Sequence, residues 1–394
     1  QKTAYEISLG LVGSEMCIRD SPESVLIDLR KRLENVRWPD AIAGSDWDYG
    51  SNLNYLKELI DYWITQFDWR AQERKLNGFQ QFKSEVEGLN IHFIYERGKG
   101  PKPLPIVITH GWPSTFYEMH KIIPLLSDPA SYGGDPADAF DVVAPSLPGF
   151  GFSDRATTPG MDVEKVAGMW NQLMTVDLGY DQYAAHGGDL GAGVTSWLGQ
   201  NHSDNLIAIH LTSVTRPQPY LGAGSRALTE SEQSLVDKRA QWQQAEGGYS
   251  HIQGTKPQTL SYGLNDSPVG LAAWIVEKYR TWSDCGGDVE RKFTKDELLT
   301  NITIYWVTQT IGSSVRMYLE NQSNPWALSK EDQVPTPAGI AVFPAEISVP
   351  PREWAERSYK VSRWTEMNRG GHFSALEEPN LLVEDLRAFY KPYR

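Results

Sequence analysis

Gly187-Gly188-Asp189-Leu190-Gly191 is the stretch of this sequence that most directly indicates its fold. It separates a short strand-like run, residues 181–186, from a run beginning at Ala192 that is typical of a helix start. Small residues two before and two after Asp189 suit a sharp turn from strand to helix, since bulky side chains there would clash. Such a turn holds the central side chain exposed above a sheet. Gly-Gly-Asp also occurs in ordinary turns, so this interpretation depends on the surrounding sequence.

The residue at the centre of the turn determines the chemistry that the turn can support. A serine there would form acyl intermediates from esters, as in a serine esterase. Asp189 offers a carboxylate instead, which is better suited to displacement at a saturated carbon. That displacement leaves an ester on the enzyme, which water can then cleave. We therefore expect Asp189 to be a nucleophile.

Buried strand-like runs alternate with helical stretches on both sides of this turn. Alternation of this kind is typical of a parallel sheet covered by helices on both faces, so we predict an α/β fold. We assign residues 103–215 and 330–394 to this core, with a last helix at about 379–391. The predicted strands are residues 104–109, 140–145, 181–186, 206–211, 339–343 and 363–367.

The strand–helix alternation stops between the two parts of the core. Residues 216–329 contain helical candidates at 229–245 and 270–283 and no clear strand-like run. A helical insertion between the later strands of such a sheet is most simply a lid, or cap, over the carboxyl edge. Ligands bind at that edge in open α/β sheets.

The first hundred residues differ from the core in their pattern. Residues 22–102 are rich in aromatic residues and have a helical pattern up to about Gly100, with helix candidates after Ser21 and near 54–67. We predict an N-terminal meander that packs against the core. The stretch from Ala4 to Ser21 looks like translated sequencing-adapter read-through, so residues 1–21 are interpreted as a non-native leader.

Composition restricts the class of protein. A chain of 394 residues with 40% hydrophobic and 22% charged residues is typical of a globular protein. Its net charge of -13 argues against nucleic acid or an anionic membrane as a partner, and no apolar run approaches the ~20 residues that span a bilayer. Two cysteines, Cys17 and Cys285, cannot form a disulfide framework. We expect a cytoplasmic protein and leave a homodimer open.

His372 is the candidate base. It follows the last predicted strand, and in hydrolases with a nucleophile at such a turn the chain order is nucleophile, acid, histidine. The acid is expected after the preceding strand, where Glu346 stands. Its role would be to accept the other ring N–H and stabilise the imidazolium. Glu353 and Glu356 are nearby alternatives that fit better on a solvated helix.

Two backbone N–H groups are candidates for an oxyanion hole. One should come from a loop after an earlier strand and one from the residue after the nucleophile. His110-Gly111-Trp112-Pro113 directly follows a buried strand and offers the N–H of Trp112. Leu190 offers the second. A simple turn is the alternative interpretation of the His-Gly-Trp-Pro stretch.

Several further motifs extend a resemblance over about Asp48 to Tyr390. They resemble motifs of the α/β-hydrolase superfamily and, within it, of microsomal-type epoxide hydrolases. The resemblance implies an α/β-hydrolase fold with a helical lid, and an N-terminal meander that wraps the core and contacts that lid. The motifs are residues 87–94 (EGLNIHFI), 110–113 (HGWP), 116–119 (FYEM), 248–257 (GYSHIQGTKP), 265–274 (NDSPVGLAAW) and 369–373 (RGGHF).

The resemblance also assigns two proton donors. The family uses two lid tyrosines, which fall here on Tyr249 and Tyr318. Opening an epoxide releases a strongly basic alkoxide, and a phenol of pKa near ~10 can protonate it while remaining protonated itself at neutral pH. Two departures from relatives are Leu190, where many carry tryptophan, and Ser114-Thr115 in place of Gly-Ser. The first should reshape the pocket wall.

The sequence thus predicts an epoxide hydrolase that converts apolar epoxides to vicinal diols. We expect Trp112, Leu190, Tyr249 and Tyr318 to contact the substrate, with no cofactor and no metal. The membrane-anchoring helix of mammalian relatives has no counterpart in the sequence, so a soluble protein is expected.

Two other functions stay open at this point. A haloalkane or haloacid dehalogenase shares the aspartate, histidine and acid, but needs halide donors such as indole N–H groups. A non-catalytic binding module of this fold would usually lack one of the three residues.

Overall fold

The computed structural model describes residues 21–214, 226–325 and 333–394. The predicted leader up to residue 20, Cys17 and the two ends of the predicted lid, 216 and 329, lie outside the described residues. The described residues form a sheet of eight strands in the order β1-β2-β4-β3-β5-β6-β7-β8. These strands are β1 Gln81–Val86, β2 Leu89–Glu96, β3 Leu104–Thr109, β4 Phe140–Pro145, β5 Tyr183–Gly187, β6 Leu206–Leu211, β7 Val334–Val342 and β8 Tyr359–Glu366.

The sheet is mostly parallel, as predicted. Strands β3 to β8 run parallel to one another, whereas β2 is antiparallel to both of its neighbours, β1 and β4. Side chains alternate along each strand, so each strand contributes to both faces of the sheet, and both faces are buried. In β3, for example, Val107 packs into one hydrophobic cluster while Ile106 and Ile108 pack into the other. The other strands and the helices on both faces supply the rest of these clusters.

The prediction of a helical pattern up to about Gly100 was wrong for its last part. Residues 81–96 form a β-hairpin in which β1 and β2 pair from Gln81–Ile94 to Val86–Leu89. The hairpin turns at Glu87 and Gly88, whose φ angles of 49° and 78° are both positive. Two positive φ angles in a two-residue loop match the right-handed twist of the flanking strands. The signal was a turn pair between two runs rich in strand-forming residues.

Helices before β1, between the strands and after β8 complete the fold. The predicted lid helices at 229–245 and 270–283 correspond to α7 (Glu230–Glu246) and α10 (Pro268–Trp282) to within two residues. The helices are α1 Glu23–Glu34, α2 Leu53–Thr65, α3 Trp69–Leu76, α4 Ile122–Ser127, α5 Val163–Gln172, α6 Asp189–Asn201, α7 Glu230–Glu246, α8 Gly248–Thr255, α9 Pro257–Asp266, α10 Pro268–Trp282, α11 Lys295–Thr308, α12 Ile311–Ser323, α13 Arg352–Ser358, α14 Ser374–Glu377 and α15 Pro379–Tyr390.

Helices α7 to α12 lie between β6 and β7 and contact the N-terminal helices. Arg32 of α1 donates to Asp266 at the end of α9, with 2.6 Å between Nη1 and Oδ1. Tyr62 of α2 donates its hydroxyl proton to Asp296 of α11 over 3.0 Å. These contacts fix the insertion against the N-terminal region. In the part of the chain that the structure describes, no helix has both the length and the apolar character needed to cross a bilayer.

Candidate active site

The sharp turn at Asp189 forms the junction of β5 and α6. β5 ends at Gly187 and α6 begins at Asp189, whose φ of 49° lies in a region that non-glycine residues rarely adopt. Gly191 packs so closely that a Cβ there would overlap the carbonyl oxygen of Thr109 at the end of β3. The tight turn therefore needs glycine at this position, and it holds the Asp189 side chain at the carboxyl edge of the sheet.

The loop after β3 holds one carboxylate oxygen of Asp189. The backbone N–H of Trp112 donates to Asp189 Oδ1 over 2.8 Å. A Cβ at Gly111 would collide with the Asp189 side chain, so the loop approaches this closely only because the residue is glycine. Leu190, the other predicted donor, is in the first turn of α6 and lines the adjacent cavity. Its part in an oxyanion hole stays a prediction.

His372 and Glu346 continue the chain of polar contacts from Asp189. His372 Nε2 lies 3.4 Å from Asp189 Oδ2, and His372 Nδ1 lies 2.6 Å from Glu346 Oε1. Glu346 follows β7 and His372 follows β8, so parallel strands bring both to the edge where Asp189 lies. Glu346 is fixed in turn, because it accepts hydrogen bonds from Ser213 Oγ at 2.8 Å and the Ile347 N–H at 2.7 Å.

The two alternative acids lie elsewhere. Glu353 and Glu356 are exposed on α13. Glu353 forms ion pairs with Arg226 and Arg357, and Glu356 pairs with Arg352. They occupy the solvated helix face that their spacing indicates, and only Glu346 of the three contacts His372.

The protonation of His372 depends on its two carboxylate neighbours. Burial alone would lower the pKa of the imidazole, but the charges and hydrogen bonds of Glu346 and Asp189 outweigh burial and raise this pKa well above its ordinary value. The two carboxylates therefore favour the imidazolium form of His372. Removing the charge on Asp189 would remove one of the two contributions that keep the proton on the ring.

Tyr249 and Tyr318 lie together on the lid side of the site. Tyr249 belongs to α8 and Tyr318 to α12, and their rings meet edge to face with centroids 5.8 Å apart. The Tyr249 ring also stacks on the ring of Trp112 at 5.5 Å. Burial, followed by the charge of Asp189 for Tyr249 and by Tyr249 itself for Tyr318, raises both phenol pKa values. Both hydroxyls therefore keep their protons at neutral pH.

A cavity of about 390 Å³ lies between the nucleophile and the lid. Trp112, predicted to contact the substrate, is fully buried and reaches the site through its N–H and through its stacking on Tyr249. The wall of the cavity is mostly apolar, and the polar side chains of Ser213, Asn321, Asn324 and Ser348 also line it. Its lining includes Asp189, Tyr249, Tyr318, Glu346 and His372 together with Leu190, Val163, Trp197, Val214, Trp242 and Ile347.

Sequence reasoning missed two residues that hold this arrangement. Ser213 comes two residues after β6 and donates to Glu346. The carboxyl end of β6 lies beside that of β5, so its position after this strand is a signal that could identify it. Glu377 accepts from the Phe373 N–H at 2.9 Å and from the Asp284 N–H at 2.8 Å. It thereby joins the loop that carries His372 to the segment after α10. No sequence signal marks that role.

We expect a change of Glu346 to glutamine to impair the step that needs a base. The amide cannot stabilise an imidazolium as a carboxylate does, and it can favour the wrong tautomer of His372. The rate of ester hydrolysis should fall on the order of 100-fold or more. Pre-steady-state rapid-quench kinetics would measure it. Glu353→Gln is the matched control, and an equal loss in both variants would contradict the assignment.

Comparison with known proteins relates the chain to one enzyme family. Residues 17–119 match the family described as epoxide hydrolase N terminus, and residues 105–244 match the alpha/beta hydrolase fold. Epoxide hydrolase 1 of Sus scrofa is 40% identical over 94% of this chain and 87% of its own.

Solved structures agree over nearly the full length. The epoxide hydrolase of Aspergillus niger has a TM-score of 0.85 and 30% identity, with 96% of both chains covered. The juvenile hormone epoxide hydrolase of Bombyx mori also has a TM-score of 0.85, at 29% identity, covering 96% of this chain and 94% of that one.

The sheet, its helical insertion and the family matches define an α/β hydrolase, which confirms the predicted fold. The similarity is more specific than this class, because Epoxide hydrolase 1 of Sus scrofa shares 40% sequence identity over 94% of this chain. The chain belongs to the microsomal-type epoxide hydrolases and is an epoxide hydrolase, as its motifs predicted.

Proposed function

We propose that this epoxide hydrolase converts small apolar epoxides to vicinal diols through an ester on Asp189. The observation that carries the proposal is that one cavity is lined by the Asp189 carboxylate, two phenols and His372. A nucleophile, two proton donors for the epoxide oxygen and a base are the groups that this two-step reaction needs.

In the first half-reaction the epoxide ring opens. An oxygen of Asp189 attacks a ring carbon, the carbon–oxygen bond breaks, and its electron pair stays on the epoxide oxygen. That oxygen takes a proton from Tyr249 or Tyr318. The imidazolium of His372 then returns a proton to the phenolate. This transfer is favoured because Asp189 is now a neutral ester and no longer raises the pKa of His372.

In the second half-reaction water cleaves the ester. Neutral His372 takes a proton from water, and the hydroxide attacks the carbonyl carbon of the Asp189 ester. The N–H groups of Trp112 and Leu190 stabilise the resulting oxyanion, an effect of ~3–4 kcal/mol per donor in comparable sites. The intermediate expels the diol oxygen, which takes the proton of the new carboxyl group. The cycle closes with ionised Asp189 and protonated His372, so no net proton is consumed.

The cavity supports apolar substrates. Leu190, Val163, Trp197 and Trp242 contribute apolar wall, and a buried apolar surface favours apolar substituents by ~25 cal/mol per Å². Polar substituents would lose hydration against this apolar part of the wall. A cytoplasmic location and the absence of a nucleic-acid partner are proposals from composition alone, and a homodimer stays open.

Removing the two phenol hydroxyls should slow ring opening specifically. We expect Tyr249→Phe or Tyr318→Phe to lower the alkylation rate by about 100-fold, because only one phenol then remains to stabilise and protonate the alkoxide. The double variant should lose more than either single variant. Single-turnover kinetics with excess enzyme would measure alkylation directly. Tyr262→Phe, at an exposed position on α9, is the matched control. An unchanged alkylation rate in the double variant would exclude these donors.

The decisive assay is diol formation from styrene oxide by the purified protein, beside halide release from a small haloalkane. One observation favours the dehalogenase alternative: the buried indole N–H groups of Trp112 and Trp282, near the site, have no hydrogen-bond partner among the described residues. A halide could accept such donors. Diol without halide release would support the proposal. Halide release without diol would overturn it in favour of the dehalogenase. The absence of both diol and halide would favour a binding module.

A further inference from the structure

A buried lysine lies beside one of the proposed proton donors. Lys278 belongs to α10, and only 7% of its side chain is exposed. Its Nζ is 4.9 Å from the centroid of the Tyr249 ring and 5.8 Å from that of Trp282. A buried ammonium loses its hydration, so the fold must stabilise it by other means. The faces of two aromatic rings and nearby carboxylates do this here.

The carboxylates that pair with Lys278 are more exposed than the ammonium. Glu277 Oε2 lies 2.5 Å from Nζ and Glu246 Oε2 lies 3.9 Å from it. Their side chains are 21% and 29% exposed, compared with 7% for the lysine. Water therefore screens the two negative charges better than the positive charge, because solvent raises the effective dielectric around an exposed group. The ammonium itself lies against the Tyr249 ring and contacts it directly.

We propose that Lys278 is a positioning residue that promotes proton donation by Tyr249 during ring opening. The inference rests on the proposed function. Burial and the charges of Asp189, Glu346 and Glu246 oppose formation of negative charge on the Tyr249 oxygen. A fixed cation against the ring opposes them, since it attracts the negative charge that develops on the phenol and on the epoxide oxygen. It also holds the ring by a cation–π contact.

The inference predicts an effect on one half-reaction only. Ring opening places negative charge next to Tyr249, so loss of the cation should slow it. Ester hydrolysis places negative charge near the N–H of Trp112 and is driven by His372, so it should change little. A purely structural role would instead slow both steps or lower the amount of folded protein.

The test measures alkylation in a His372→Gln background, where the ester should accumulate. We expect Lys278→Met to slow alkylation by styrene oxide by about 10- to 100-fold, and Lys278→Arg to stay within about 3-fold of the parent. The defect should be smaller for an epoxide with a trifluoromethyl substituent, whose alkoxide is less basic. Ester hydrolysis, measured with His372 intact, should be unchanged.

Lys295→Met is the matched control. Lys295 also pairs with a glutamate, Glu290 at 2.8 Å, and lies 5.9 Å from the ring of Tyr62, but that ring lies outside the cavity. It should leave alkylation unchanged. If Lys278→Met does not fold, the double variant Lys278→Met with Glu277→Gln removes the pair together and should show the same slow alkylation.

Three results would overturn the inference: unchanged alkylation without the cation, equal defects in Lys278→Met and Lys278→Arg, or an equal slowing of ester hydrolysis. Failure of the proposed function would be distinct. In that case the His372→Gln protein with Lys278 intact would form no ester at all.

Discussion

Asp189→Ala is expected to lower diol formation from styrene oxide by about 10⁴-fold or more, because the proposed nucleophile is removed. The lid phenols and His372 would remain, but no covalent ester could form. Steady-state product analysis would measure the loss. Glycine at 191 and the N–H of Trp112 are untouched, so the fold around the turn should persist.

Two controls make this result specific. Asp181→Ala changes an exposed aspartate just before β5, at the end of that strand remote from the nucleophile, and should keep full activity. Urea unfolding of both variants should show that Asp189→Ala is folded under the assay conditions. Substantial diol formation by folded Asp189→Ala would show that another group, or water itself, attacks the epoxide.

His372→Gln is expected to trap the enzyme at the ester. Ring opening uses Asp189 and the lid phenols, so it should continue, whereas ester hydrolysis loses its base and should slow by about 10³-fold. Incubation with styrene oxide should therefore convert the protein to a species heavier by one substrate molecule. Intact-mass spectrometry would detect it, and peptide mapping should locate the added mass on Asp189.

His251→Gln is the matched control for the trapped ester. His251 is exposed on α8, two residues after Tyr249, and its loss should give normal turnover with no stable adduct. An adduct mapped to a residue other than Asp189, or a His372→Gln protein that turns over at the normal rate, would contradict the assignment of base and nucleophile.

Much of the fold could be predicted because local sequence determined it. Strands β3, β4 and β6 are mostly apolar runs, and their predicted bounds agree with the structure at every residue. The turn at Asp189 has small neighbours that its geometry requires, so its sequence alone marked it. The β1–β2 hairpin is harder to predict because aromatic residues are common both in strands and in packed helices. The feature that distinguishes them here is the two-residue turn at Glu87 and Gly88.

Contacts between distant segments could not be predicted in the same way. Glu346 and His372 were assigned by chain order, which follows from parallel strands that all end at one edge. Glu377 and Lys278 have no such order: each acts through a segment far away in sequence, Asp284 in one case and Tyr249 in the other. The packing of the lid against the core brings Glu377 to Asp284, whereas the packing of α10 against α8 within the lid brings Lys278 to Tyr249.

The fate of the Asp189 oxygen atoms tests the central claim most directly. A single turnover of styrene oxide should be run in water labelled with heavy oxygen, with enzyme in excess. The account predicts that the first diol is unlabelled, because its new oxygen comes from Asp189, and that the label enters the peptide containing Asp189. A labelled diol from the first turnover, with no label in that peptide, would show direct attack by water and contradict the account.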